Sequence, residues 1–227
     1  MHLNTFQKFK LLHIINHAFT ITALIWAINT ESWLWLLFGL ICFLWTGIVG
    51  VDVALHRYYS HLSFKTTPFK EKILLATSVV TGLGSPAMWC SVHRLHHTTS
   101  DTDRDPHNPA RDGVFRTWFT MWAPMHIPAR HIKPFLKTPV MRFVHRNYFL
   151  LNFAVLTVLC LIDWRLAAFA YCLPAVGCFH GSAAIGVLPH LTGKWQFGYR
   201  RYDIADLSHN NWLASLLSLG EGWHNNH

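Results

Sequence analysis

The chain is short of charge. Only 13% of its 227 residues are Asp, Glu, Lys or Arg, against 52% hydrophobic, a balance far from that of a soluble domain, so the membrane is the first class to test. Glutamate is scarcer still, with Glu31, Glu71 and Glu221 alone. Only Glu221 with His224 has Glu-x-x-His spacing, which excludes a metal site built on several glutamates and two such units. The His-Glu-x-x-His pair of zinc proteases is absent. Cys42, Cys90, Cys160, Cys172 and Cys178 show no paired metal spacing and lie mostly in apolar segments, so they read as packing residues. The first apolar stretch lacks a small-residue cleavage site and is expected to be a membrane helix rather than a cleavable signal.

What the chain has instead is long uncharged sequence. Runs at about 11–29, 33–54, 148–162 and 166–189 are expected to be membrane helices, since about 20 residues at 1.5 Å each cross a ~30 Å hydrocarbon core. Asp163, Trp164 and Arg165 alone separate the last two, which implies a tight helical hairpin. The run from Ile73 to Val92 is long enough to span as well. Its Thr77, Ser78, Thr81, Gly82, Gly84, Ser85 and Pro86 instead mark it as interfacial or re-entrant.

The formal charge of +8 invites a nucleic-acid reading, but no binding motif accompanies it and no nucleic-acid partner is expected. Arg130, Lys133, Lys137, Arg142 and Arg146 immediately precede the third run, as the positive-inside rule places a cytoplasmic segment.

Histidine is in excess, with 17 in all. His13, His17, His126, His131 and His145 stand alone and read as hydrogen-bonded packing residues. Seven others form groups: His56 and His61 in HRYYSH, His93, His96 and His97 in HRLHH, and His224 and His227 in the terminal HNNH. Helical residues three and four apart share a face, so the second and third groups each point imidazoles in one direction. The five-residue spacing of His56 and His61 does not share a helical face well, which places this pair where a helix ends and the chain turns.

Membrane parity tests the grouping independently. With four spans and a non-spanning Ile73–Val92, all three groups emerge on the side of the N terminus, the side that also carries the basic stretch, and that side is expected to be the cytoplasm. Seven grouped histidines, with His190 after the last span, are too many for one tetrahedral zinc and fit two metal ions. Imidazole suits several metals and does not choose among them.

Three boxes in this order resemble the membrane fatty acid desaturase family, whose pattern is His-x4-His, His-x2-His-His and His-x2-His-His. DPHNP at Asp105–Pro109, GYRRYD, and LSHNNWLASLLSLGEGWHNNH extend the similarity to stearoyl-type desaturases over roughly residues 47–227. The resemblance implies an all-α integral membrane fold with four transmembrane helices and a cytosolic helical cap, in one domain over residues 1–227. It implies two iron ions held by His56, His61, His93, His96, His97, His190, His224 and His227. The activity it implies is O2-dependent desaturation of a saturated fatty acyl chain, with electrons from a separate donor of cytochrome b5 or ferredoxin type and with membrane lipid as surroundings. It also points to Trp89, four residues before the second box, as a substrate contact.

Three departures from the family pattern stand out. The chain stops at His227, where the family's third box has one more histidine, which is expected of a fragment of a longer chain. Gly186 stands where relatives place an asparagine that holds a metal-bound water. Ser91 stands where acyl-CoA enzymes carry an arginine toward coenzyme A, which leaves lipid-bound or carrier-bound acyl chains open.

Each metal-facing imidazole needs an acceptor for its other N–H, and Asp52, Asp101, Asp103, Asp105, Asn210 and Asn211 are candidates. The Asp101, Asp103, Asp105 series mimics the start of a calcium loop, but Pro106 occupies the glycine position and Asp112 replaces the closing glutamate. A loop beside the site is the expected reading. Trp45, Trp118, Trp122 and Trp212 are candidates for an acyl slot or for an interfacial belt. Two rival functions remain: a diiron membrane hydroxylase acting on alkanes, sterols or carotenoids, and a histidine-rich metal transporter, whose histidines belong inside spans.

Overall fold

The computed structural model describes residues 3–119 and 127–227, so His126 and Trp122 lie outside the described residues. Among the described residues the secondary structure is helical, with isolated bridges from Asn210 to Tyr199 and Trp223 in place of a sheet. Four of the described helices are long and apolar enough to cross a membrane: α1 (Thr5–Asn29), α2 (Trp33–Ser60), α6 (Pro139–Ile162) and α7 (Trp164–His190). Shorter helices lie between and after them: α3 (Pro68–Val79), α4 (Pro86–Thr99), α5 (Val114–Phe119) and α8 (Trp212–Leu217). The protein is an integral membrane, all-α protein.

Helix ends differ from the apolar runs where capping extends them. α1 begins ahead of residue 11, because Asn4 and Gln7 form a reciprocal capping box. α6 begins at Pro139 rather than Tyr148, because Thr138 accepts the Met141 N–H and proline occupies the first turn. α7 starts at Trp164, with Asp163 accepting the Arg165 N–H at 2.9 Å. From Thr46 onward α2 winds in π-type turns to Ser60.

The chain divides into two compact units. The first comprises residues up to Cys90 and from Lys133 to Phe179. Its core is small-residue packing: Ala23 and Ala27 of α1 meet Ala168 and Phe169 of α7, and Leu156 of α6 meets Ala167, Tyr171 and Cys172. Small side chains let membrane helices approach closely. The outward faces stay apolar, with Ile21, Ile25, Leu34 and Leu161 exposed, as lipid contact requires.

The run Ile73–Val92 is not one helix. α3 stops at Val79, the chain turns through Gly82 at φ +77° and Gly84 at φ +104°, and α4 restarts at Pro86. Positive φ is open to glycine at little cost. The freed backbone groups are met by side chains: His13 Nε2 donates to the Gly82 carbonyl (3.1 Å), and the Gly84 N–H donates to the Tyr148 hydroxyl oxygen (3.1 Å). Asn152 then donates to the Tyr148 carbonyl and accepts from the Tyr171 hydroxyl, both at 2.8 Å. His13, His17 and His145 thus have the packing roles expected of them, with His17 Nδ1 2.7 Å from the His13 carbonyl and His145 Nδ1 2.6 Å from Ser85 Oγ.

The second unit comprises Ser91–Ile132 and His180–His227. Its C-terminal part is laced by asparagines. Asn211 caps α8 through the Ala214 N–H and donates to the Phe197 carbonyl, while Asn225 accepts the N–H groups of Arg201 and Tyr202. Gly222 lies directly on the Ser215 backbone, where a β-carbon would collide.

Replacing Asn152 by Leu strands the buried Tyr171 hydroxyl. Asn152→Leu is expected to destabilise the protein by about 1–2 kcal/mol, read as a lower unfolding temperature in detergent, while Asn152→Gln recovers part of the loss.

Candidate metal centre

α4 carries the second histidine box in the second unit, and its winding divides the box. His93 and His97 lie together, with ring centroids 4.5 Å apart and Nε2 atoms 3.0 Å apart. His227 joins them, its Nε2 3.2 Å from that of His97. His96 faces another way, toward His190 and His224, with ring centroids at 5.2 and 6.0 Å; His190 and His224 are 5.1 Å apart. Within each triad the ligand nitrogens all lie within 4.8 Å of one another. The expectation that each box points in one direction is thereby corrected. The second and third boxes each send a member to both triads, and the two triads are neighbours, with His96 and His97 ring centroids 6.0 Å apart.

Two carboxylates fix the second triad. His96 Nδ1 lies 2.8 Å from Asp105 Oδ1, and His190 Nδ1 lies 3.0 Å from both oxygens of Asp101. A carboxylate accepts, so each Nδ1 is the protonated nitrogen and each Nε2 keeps its lone pair. His190 is 1% exposed, and its Nε2 is buried without a hydrogen-bond partner among the described residues. A buried orphan acceptor is costly, and here it points into a cluster of imidazoles. A metal ion fits that donor set.

The carboxylates are themselves held. Asp105 accepts the N–H groups of Asp101 (2.7 Å) and His107 (2.8 Å), and Asp101 accepts that of Leu207 (2.7 Å). Burial alone raises a carboxyl pKa. For both residues the hydrogen bond from the partner imidazole, with the backbone donors, outweighs it and holds the group below the usual range. Burial, with His190, His96, His227 and His97 around it, pushes His224 well down, and burial with His96 nearby pushes His107 down to about 4. Neutral imidazoles are the metal-binding form.

Asp103 does not join this arrangement; its carbonyl accepts from Arg111. Asn210 and Asn211 are occupied with Asn226, Phe197 and the cap of α8. His209, not singled out in the sequence, is 4% exposed and reaches the Pro189 carbonyl through its backbone N–H (2.8 Å) and Nδ1 (3.2 Å), fixing the residue before His190.

In the first unit, His56 lies in the last turn of α2 and His61 caps its end, with ring centroids 4.7 Å apart. The His61 N–H donates to the His56 carbonyl at 3.0 Å, an i to i+5 bond. This is the π-type turn, and it brings together two rings that an α-helix would turn apart. Asp52 lies beside them, 3.0 Å from Arg57 Nε and 3.8 Å from His56 Nδ1.

Trp89 sits half-buried on α4, one turn ahead of His93. The Ser91 hydroxyl donates to the His131 carbonyl (3.2 Å). A β-carbon on Gly186 would meet only His107 Cβ, at 4.0 Å, so the position has room for a side chain. His180 accepts from the Trp118 indole N–H (3.0 Å) and takes no part in either triad.

Asp101→Asn and Asp105→Asn each replace an acceptor-only group by one that also donates. Each is expected to weaken metal binding by about 10–100-fold, measured by chelator competition on purified protein, whereas Asp103→Asn is expected to leave it unchanged.

A profile of the fatty acid desaturase family matches residues 31–227. The chain is 32% identical over 201 residues to an sn-1 stearoyl-lipid 9-desaturase of Anabaena variabilis, covering 86% of this chain and 72% of that protein. It is 32% identical over 204 residues to the chloroplastic palmitoyl-monogalactosyldiacylglycerol delta-7 desaturase of Arabidopsis thaliana, covering 84% of this chain and 51% of the relative. An acyl-CoA 5-desaturase of Anemone leveillei is 29% identical over 209 residues, covering 87% and 62%. The chain thus spans about half to three quarters of the length of these relatives. It belongs to the fatty acid desaturase family, a family of lipid-metabolising oxidoreductases.

Proposed function

We propose that the protein introduces a double bond into a saturated fatty acyl chain, using O2, and that His56, His61, His93, His96, His97, His190, His224 and His227 hold two iron ions for this purpose. The observation that carries the reading is the pair of neighbouring histidine triads, with the buried, unpartnered Nε2 of His190 in one of them. When bound, the iron pair supplies the means of activating O2. In balance, R–CH2–CH2–R′ becomes R–CH=CH–R′, and O2 with the two substrate hydrogens, two electrons and two protons leaves as two waters. The electrons come from a separate donor of cytochrome b5 or ferredoxin type. Asp101 and Asp105 orient His190 and His96 and keep the Nε2 atoms as lone-pair donors.

A lipid-borne acyl chain is the better-supported substrate class. Ser91 stands where the resemblance puts the arginine of acyl-CoA enzymes, and its hydroxyl is committed to the His131 carbonyl. Two of the relatives above are named for acyl-lipid substrates. Trp89 is a candidate contact for the chain. The boxes and the N terminus belong on the cytoplasmic side. The break between α3 and α4 leaves four long apolar helices to count for parity, and the basic residues from Arg130 to Arg146 supply the charge bias.

A desaturase-deficient host expressing the gene is expected to accumulate a new monounsaturated acyl chain in its membrane lipids, seen by mass spectrometry with double-bond localisation. His93→Ala abolishes it, and purified wild-type protein is expected to hold about two irons per chain, one for each triad. A hydroxylated product in place of the alkene sinks the desaturase reading, and protein without iron sinks the diiron one.

A further inference from the structure

Two short helices of the second unit are tied to adjacent positions of the fourth long helix. On α5, the Trp118 indole N–H donates to His180 Nδ1 at 3.0 Å. At the end of α8, the Leu217 carbonyl approaches α7 so closely that a β-carbon on Gly181 would lie 2.8 Å from its oxygen. His180 and Gly181 both belong to the span Trp164–His190.

The outward faces of these helices are apolar. Val114, Phe115 and Phe119 are exposed on α5, and Trp212, Leu216 and Leu217 on α8, with Phe115 at 77% and Leu216 at 68%. Phe197 stacks edge-on against Trp212 at 5.7 Å and continues the α8 face, and three residues before it Lys194 sits 5.4 Å over the Trp195 ring. Arg116 adds an exposed cation on α5. Large side chains exposed on this scale need a partner. Aromatic and aliphatic groups flanked by Lys and Arg have the composition of a helix lying in the headgroup region.

We infer that α5 and α8 form a surface embedded in the lipid leaflet, with the bilayer itself as the occupant. The argument for lipid over a protein partner is continuity: both helices are fastened to residues of a helix that crosses the membrane, so their exposed side chains emerge at its depth. α8 also braces the third histidine box. The Asn211 N–H donates to the Gly222 carbonyl at 2.8 Å, and Gly222 rests on the Ser215 backbone two residues before His224. The leaflet contact therefore sets the depth of the histidines. This inference rests on the membrane reading and not on the iron chemistry.

The test places the photocrosslinker benzoylphenylalanine at Phe115 and at Leu216, in protein held in nanodiscs of phosphatidylcholine and phosphatidylglycerol. Leu161, 81% exposed on α6, is the lipid-facing comparison, and Arg104, exposed on a loop of the second unit, is the solvent-facing one. Monodisperse elution checks that each variant folds. Lipid adducts by mass spectrometry at positions 115 and 216, similar in yield to position 161 and several-fold above position 104, are the expected result. Adducts at 161 but not at 115 or 216, or crosslinks from 115 and 216 to a second protein chain, overturn the inference. Absence of adducts at 161 as well overturns the membrane reading and this surface with it.

Discussion

An imidazole has two nitrogens, and a metal takes one of them. The other must find an acceptor in a place without water, and the loop from Ser100 to Asn108 is organised around that demand. Asp105 accepts from His96, and Asp101 accepts from His190. Each carboxylate is also pinned by backbone N–H groups, so an imidazole that moves must break a network rather than a single bond. The tight chain of Asp101, Asp105 and His107 reads in sequence as an acidic loop. In the fold it is the frame that decides which nitrogen of each histidine is available.

The membrane-spanning part obeys the same rule by different means. Backbone freed at Gly82 and Gly84 has no solvent to turn to, and His13 and Tyr148 satisfy it from α1 and α6. Asn152 and Tyr171 extend the support to α7. The turn between α3 and α4 is thus a specified feature, and it starts α4 at Pro86 with the second box about two to three turns further on.

Much of this could be read from the residues. Four long helices follow from apolar length, and the failure of Ile73–Val92 to form a fifth follows from its Gly, Pro and hydroxyl content. The helix ends could not be read from hydropathy, because Thr138 and Asn4 extend helices through polar turns by capping them. The histidine boxes were visible as spacing, but their facing was not. Offsets of three and four both count as one face in a pattern argument, yet at about 100° per residue they fall on opposite sides of the starting residue, and the two triads use that difference. The carboxylate partners were a list of candidates until the loop geometry chose Asp101 and Asp105. His209 carried no signal, since its contact is with a carbonyl twenty positions away in the chain.

The π-type winding at the end of α2 makes the length of the first box a property of the helix that carries it. Under α winding, residues four apart share a face; under wider winding, residues five apart do. The interval between His56 and His61 and the pitch of the backbone beneath them are therefore one coupled variable. Removing a residue between the two histidines would be neutral for their facing only if the helix tightened at the same place. A change in helix pitch without a change in spacing would separate the rings while leaving every side chain intact. Motif length in this segment is a measure of backbone geometry, and a variant with a shorter first box would be announcing a differently wound helix.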